Sequence, residues 1–384
     1  MNPVLASFSS CTGCTACASA CPADCIVMKP DQNGFSHPEI NREQCIGCLQ
    51  CQKACPIETP LPVPEQKTLS YAAKSLDDRI RCSSSSGGIF SELARLVFQK
   101  GGVVWGAAYD GAFSVKHSCA ETMEQAAAFR GAKYAQSDLS GVFQQIKQQL
   151  TDGTLVLFSG LPCQVAGLQS FLGKRYPNLI CVDSVCHSVP SPKFWSSYLK
   201  YRSKLNGHGE APVSVDLRSK ETGWSRYRYS VQMLFPDGRY SALSTVDPFM
   251  KLFVSGCLSR DACSTCHFKG VDRLSDLTLG DCWGIWDFAP EYDDDTGVSL
   301  ILVHSSKGSE LINELGVSCS YHPIAADAAI GRNPAITQAC KRLPKKEAIQ
   351  DLLIRKNDFD SAAALLQQKT LFEKVKNAAK RFLK

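Results

Sequence analysis

Cysteine spacing constrains this chain more than any other feature. Cys11, Cys14, Cys17 and Cys21 are followed by Pro22, and Cys45, Cys48, Cys51 and Cys55 by Pro56. Both runs read C-x2-C-x2-C-x3-C-P, the pattern that wraps a [4Fe–4S] cluster. A cubane needs four thiolates at tetrahedral corners. Three cysteines on a tight loop reach three irons, and the fourth of the same run points elsewhere. In a two-cluster arrangement each fourth cysteine ligates the other cluster. The expected sets are therefore Cys11, Cys14, Cys17 and Cys55, and Cys45, Cys48, Cys51 and Cys21. The proline after each run turns the chain and lacks an N–H. Disulfides would need an oxidising compartment, and no basic segment with an apolar run follows Met1. Zinc favours paired C-x2-C knuckles rather than a run closed by C-x3-C-P. Function starts from electron transfer.

Length and charge narrow the rest. A chain of 384 residues predicts two or three domains, and 44% apolar with 21% charged residues is enough for a sizeable core. No apolar run approaches the ~18 residues that span a membrane. Twenty cysteines in a chain expected to be cytoplasmic imply metal or redox chemistry. The net charge is +5, and Lys369 to Lys384 alone carry six basic residues and one acid, so the remainder balances to zero. Nothing broad and basic argues for nucleic acid.

The pattern predicts an α/β protein (α+β overall), with a small two-cluster domain over 1–60 followed by a larger α/β domain. Pro56, Pro60, Pro62 and Pro64 open a proline-rich linker, taken as 61–78. Cys25 is off the ligand spacing and reads as a small buried residue. Ser83 to Gly88 opens a helix with Ile89, Leu93 and Val97 on its apolar face. A Ser/Gly loop at a helix start offers free N–H groups to a phosphate or pyrophosphate, the alternative being a flexible linker with a capping serine. Val103–Ala107 reads as a strand, 120–129 as a helix, and a further helix carries Val142, Phe143, Ile146 and Leu150. The strand at 154–158 runs into Ser159-Gly160-Leu161-Pro162-Cys163-Gln164 and a helix to Leu172, so Cys163 sits at a strand's carboxyl end, where ligands bind in α/β folds. More strands are expected at 179–182, 213–217, 227–235, 240–243, 276–279 and 298–303, with a turn at Lys307-Gly308. Cys263 and Cys266 form a C-x2-C pair.

In combination the motifs resemble a family. They are S-S-S-G-G-x-F at 84–90, G-A-K-Y-A-Q-S at 131–137, F-S-G-L-P-C-Q-V-A-G-L at 158–168, C-H-S-V-P-S-P at 186–192, C-S-T-C at 263–266 and L-G-D-C-W-G at 279–284. With the two cysteine runs, they resemble the coenzyme F420 hydrogenase/dehydrogenase beta subunit family over about residues 1–335. The resemblance implies a ferredoxin-type domain and then an FAD-binding iron–sulfur domain in two parts, 79–155 and 156–335, ahead of a basic helical tail at 336–384. It implies that Ser85, Gly87 and Gly88 cradle FAD phosphates, that Lys133 lies near the flavin as the candidate catalytic group, and that Ser137, Gly160 and Gln164 line its pocket. It also implies a third [4Fe–4S] set, Cys163, Cys186, Cys263 and Cys266, with His187 and Cys257 in reserve; buried thiols or a redox disulfide are the alternatives. Ala132, Ser188 and Cys282 depart from the family pattern.

The activity so implied is an oxidoreductase passing electrons between the clusters and FAD, and a hydride between FAD and a substrate or the deazaflavin F420. Ferredoxin or a partner subunit is the expected one-electron partner. A second reading is an electron-transfer subunit without its own substrate, feeding a partner enzyme such as one of polysaccharide biosynthesis; a homo-oligomer is compatible with either. Over 369–384, Leu371, Phe372, Val375, Phe382 and Leu383 share a helical face opposite lysines and an arginine. Such a helix lies on an anionic membrane surface or docks on protein.

Overall fold

The structure, a computed structural model, describes residues 3–63 and 68–367. The amphipathic helix expected over 369–384 lies outside these residues, as does Pro64.

The two cysteine runs fold as matched halves. Each is a tight loop leading into one turn of helix, Ala16–Ser19 and Gln50–Lys53. Gly13 and Gly47 both have φ of 68°, and Thr15 and Leu49 have φ of 68° and 60°. Left-handed residues two positions apart curl each loop so that its thiols face inward. Glycine takes this conformation freely, whereas Thr15 and Leu49 hold it against ~1–2 kcal/mol each. An antiparallel hairpin joins the halves: β1 (Ile26–Pro30) pairs with β2 (Ser36–Ile40), with Ile26 opposite Ile40.

The larger domain is built on an eight-stranded mixed sheet. Its strands are β3 (Leu69–Ser75), β4 (Val103–Tyr109), β5 (Val115–Ala120), β6 (Val156–Gly160) and β7 (Leu179–Ser184), then β11 (Leu277–Asp281), β12 (Ser299–Val303) and β13 (Cys319–Pro323). The order across the sheet is β13-β3-β12-β11-β7-β6-β4-β5. β4, β6, β7 and β11 are parallel neighbours, and β3 runs with them because β12 is antiparallel to both β11 and β3. The carboxyl ends of these strands therefore share one edge. A separate antiparallel sheet holds β8 (Ser214–Ser219), β9 (Ser230–Phe235) and β10 (Gly238–Leu243), with β9 and β10 turning at Pro236-Asp237.

Helices cover both faces of the large sheet. Ile89–Gln99 and Ser306–Glu314 bury Ile89, Leu93, Val97, Leu311 and Ile312 on one face. Val142–Thr151 and Pro162–Leu172 bury Phe143, Ile146, Val165 and Leu168 on the other. Each such side chain contributes about 1.5–3 kcal/mol when fully buried. With helices on both sides, β12 is buried throughout, as its Ser-Leu-Ile-Leu-Val sequence suits.

Four local expectations change. The stretch taken as linker contains β3, whose Ser70, Ala72 and Ala73 pack closely yet carry little apolar signal. The helix expected over 120–129 is shorter: Ala120 ends β5, and Thr122 Oγ1 accepts from Gln125 N–H to start a helix at Met123–Ala126. Lys307-Gly308 is not a turn but the first turn of Ser306–Glu314, capped when Ser305 Oγ accepts from Gly308 N–H at 2.9 Å. Glycine is needed there because a Cβ would lie 2.4 Å from Asp276 O. β13 was not expected at all; it pairs with β3 at the sheet's edge.

Candidate functional site

Cys11, Cys14, Cys17 and Cys55 line one cavity in the N-terminal domain, and Cys21, Cys45, Cys48 and Cys51 line another. Each fourth cysteine has thus crossed to the other run. Cys25 also lines the second cavity; its Sγ is 3.4 Å from that of Cys21, and its N–H points at the same sulfur. Among the described residues no three His, Cys, Asp or Glu side chains converge as a single metal ion would require. The cysteines instead surround space, as the wide corners of a cubane demand, and this donor set fits [4Fe–4S] clusters. Burial, ahead of all other causes, pushes the Cys14 thiol up to about 11. Metal loading must therefore displace its proton.

The chain also assembles a third set. Cys163 lies in the first turn of the helix after β6, Cys186 follows β7, Cys263 lies within a short helical turn at Asp261–Thr265 and Cys266 directly follows it. All four line one cavity with Thr12 of the first cysteine loop. Burial raises the Cys163 thiol well above the ordinary range, with Cys186, Cys266, Cys14 and Cys263 adding to it. Cys186 is pushed to about 12 and Cys263 to about 11, again mainly by burial. Four soft donors around one cavity fit a cubane here too. Neither His187 nor Cys257 lines this cavity. His187 Nε2 faces Cys340 Sγ at 3.8 Å, and Cys257 is buried in an apolar cluster with Leu252 and Leu258.

The first and third sets share a wall. The helix Pro162–Leu172 packs against the first cysteine loop, and a Cβ on Gly167 would lie 2.9 Å from Cys14 Sγ. Gly167→Val is expected to cost about 1–3 kcal/mol by overpacking and to displace Cys14 from its metal. Iron analysis and thermal melting check this; full iron with an unchanged melting temperature would count against the close approach.

The Ser/Gly loop lies at the carboxyl edge, after β3. Gly87 is stitched to the sheet: its N–H donates to Ser299 Oγ at 3.0 Å and its carbonyl accepts from Ser75 N–H at 2.8 Å. A Cβ there would meet Ala73 O at 2.4 Å. Gly88 has φ of 87° and caps Ile89–Gln99. The N–H groups of Ser85, Ser86, Gly88 and Ile89 donate to no group among the described residues. Cations surround them. Lys220 Nζ donates to Ser86 O and Arg81 O, each at 2.7 Å; Arg130 Nη1 reaches Ser83 Oγ at 3.2 Å; Arg218 Nη2 reaches Ser85 O at 3.5 Å. Free N–H donors at the start of an 11-residue helix, ringed by cations, fit the diphosphate of FAD.

Ser137, Gly160 and Gln164 come together at the end of β6. Gln164 Nε2 donates to Ser137 Oγ at 2.9 Å and its Oε1 accepts from Leu161 N–H at 2.8 Å. A Cβ on Gly160 would lie 3.2 Å from that Oε1. Lys133 Nζ donates to the carbonyls of Phe129, Arg130 and Gly131, the shortest at 2.8 Å, and burial pushes its ammonium down to about 8. The loop 131–137 bridges this group and the Ser/Gly loop. Tyr134 OH accepts from Arg218 Nη1 at 3.4 Å, while Ser137 meets Gln164.

Sequence reasoning missed Arg218. It pairs with Asp281 at 2.7 Å, lies over Tyr229 and Trp283, and its buried Nε has no partner among the described residues. Only Asp281 carried a signal, within Gly-Asp-Cys-Trp-Gly. Trp283 stacks at 4.9 Å on the fully buried Trp224, whose Nε1 donates to Ser85 O.

Residues 153–322 match the family model for the C terminus of the coenzyme F420 hydrogenase/dehydrogenase beta subunit, and residues 10–59 match that of the 4Fe-4S dicluster domain. No curated protein matches. Among solved structures, a chain of the F420-reducing [NiFe] hydrogenase complex from Methanosarcina barkeri, determined with xenon derivatization, is 16% identical. The match covers 74% of this chain and 91% of that one, with a TM-score of 0.47.

Proposed function

Starting from a chain that belongs to the coenzyme F420 hydrogenase/dehydrogenase beta subunit family and carries an N-terminal 4Fe-4S dicluster domain, we propose that it is an FAD-dependent iron–sulfur oxidoreductase with three [4Fe–4S] clusters. The chain is an iron–sulfur electron-transfer protein related to the F420 hydrogenase beta subunit. In this reading two electrons enter one at a time at the ferredoxin-type domain and, joined by one proton from solvent, leave as a hydride to a substrate or deazaflavin, or the reverse route is taken with the proton released. FAD, when bound, supplies the exchange between a hydride and single electrons.

The observation that carries the reading is the cavity holding Cys163, Cys186, Cys263 and Cys266. Thr12 of the first cysteine loop lines it on one side. On the other, Cys163 is the neighbour of Gln164, which is tied to Ser137. A metal there joins the two halves of an electron path. The chain's own residues have distinct parts. The N–H groups of Ser85, Ser86, Gly88 and Ile89, unpaired among the described residues, hold the phosphates with Lys220 and Arg130. Gln164 holds Ser137 and the β6 turn in place. Lys133, with an ammonium poised near 8, holds a proton that can be given up near neutral pH. Cys48, an exposed member of the second set, marks where the one-electron partner approaches. No described helix is long and apolar enough to cross a membrane.

Anaerobic purification with iron, sulfide and flavin analysis tests the proposal. About twelve irons and one FAD per chain are expected. About eight irons, with no flavin retained after FAD is added, would reject it and leave an electron carrier.

A further inference from the structure

Arg260 stands between the first and third cysteine sets. It lies three residues before Cys263, and its side chain reaches into the N-terminal domain. Only 2% of it is exposed. Nη1 donates to Cys11 O at 2.8 Å, Nη2 to Ser36 O at 2.6 Å, and Nε to Gln136 Oε1 at 3.2 Å. Its own carbonyl accepts from Cys263 N–H at 3.1 Å. Gly13 makes room for the guanidinium, since a Cβ there would lie 2.6 Å from Nη2. Gln136 completes the arrangement by donating through Nε2 to Thr12 O at 3.1 Å and Gly13 O at 3.3 Å.

The charge on this group needs an account. All three acceptors above are neutral. Among the described residues no carboxylate lies within ion-pair distance of Arg260; Asp31 instead faces His37 at 3.5 Å. A buried charge without an opposite partner costs several kcal/mol. Arginine does not escape by losing its proton. Arg260 lines the cavity of the third set, and the anions that bear on it most are thiolates, Cys11 of the first set and then Cys263 and Cys163 of the third, ahead of Asp31. Four thiolates around a cubane leave a net negative charge, and each added electron increases it. A fixed positive charge between two such centres favours the reduced form of both.

We propose that Arg260 is the shared counter-charge of the Cys11–Cys14–Cys17–Cys55 and Cys163–Cys186–Cys263–Cys266 sets, and that it sets the potential at which one electron passes between them. The inference rests on the proposed function, since it takes both sets to hold clusters. In the step one cluster loses an electron and the other gains it, and the guanidinium keeps its protons throughout. Arg260 is a positioning residue; it touches no reacting atom.

The test is a redox titration of the anaerobic, iron-loaded protein, followed by electron paramagnetic resonance. Iron is read first. About eight irons in the unaltered protein would overturn the functional reading and the shared role with it, whereas about twelve irons with unmoved potentials would overturn only the role of Arg260. Arg260→Met removes the charge and keeps much of the bulk. It is expected to lower the reduced-to-oxidised ratio of the two flanking clusters at least tenfold at a given potential, about 59 mV for one electron. The cluster at Cys21, Cys45, Cys48 and Cys51 stays put. Arg260→Lys retains the charge and is expected to keep the potentials near those of the unaltered protein; a shift as large as that of Arg260→Met would overturn the electrostatic account. Should Arg260→Met fail to load iron, Gln136→Glu sets a carboxylate against Nε and is expected to lower the same two potentials. Loaded Gln136→Glu protein with unchanged potentials, or with all three shifted alike, would overturn the proposal.

Discussion

Replacing Cys163 with serine is expected to remove about four of twelve irons while leaving the ferredoxin-type clusters and the flavin in place. The side chain sits in the first turn of Pro162–Leu172 and faces the cavity shared with Cys186, Cys263 and Cys266. A hydroxyl is a hard, weakly acidic donor that binds iron poorly beside three thiolates. The neighbouring helix turn does not depend on the sulfur, because Gln164 holds it through Leu161 N–H. Flavin reduction by a one-electron donor should fall by at least about 10–100-fold. Reduction by a hydride donor should persist, because that half of the reaction does not pass through the lost cluster. Cys257→Ser is the control, being a buried cysteine outside the cavity. Retention of all iron in Cys163→Ser, with full one-electron activity, would remove Cys163 from the path.

Cys55→Ser should empty the metal site of the other run. Cys55 lines the cavity of Cys11, Cys14 and Cys17, although it is four residues from Cys51 in sequence. The expected loss is about four irons. Alkylation followed by peptide mapping should then find Cys11, Cys14 and Cys17 newly reactive, with Cys45, Cys48 and Cys51 still protected. Cys21→Ser should give the reverse pattern. The same thiols released by both variants would reject the crossed arrangement. Because the first set adjoins both Thr12 of the third cavity and the Gly167 face of its helix, Cys55→Ser should also cut electron flow between the domains.

Short-range chemistry made part of this molecule readable in advance. The helix at Ile89–Gln99 announced itself through Ile89, Leu93 and Val97 on one stripe, all fully buried. β6 and the helix after it were legible from an apolar run broken by Gly160 and Pro162. β3 was not, because Ser70, Ala72 and Ala73 owe their place to the room β12 and β13 leave between them, not to apolar bulk. The same holds at Lys307-Gly308, where the glycine marks a helix packed closely on Asp276 O rather than a turn.

The site divides the same way. The eight cysteines of the two runs declare their chemistry by spacing, because a cubane's demand on a loop is local. Cys163, Cys186, Cys263 and Cys266 span more than a hundred residues of sequence, and only a sheet whose parallel strands end on one edge brings them to one cavity. Arg218 and Arg260 carried no signal of any kind. A lone arginine is a surface residue until folding removes its water, and its meaning comes from what then surrounds it. For Arg218 that is Asp281 and the Ser85 loop; for Arg260 it is the backbone of one cysteine loop and the field of two cysteine sets. The metal type and the electron-transfer chemistry were therefore determined by the sequence alone. Where the third set lies, what joins it to the first, and which charges surround them were decided by the tertiary structure, because those are consequences of burial and of distance through space.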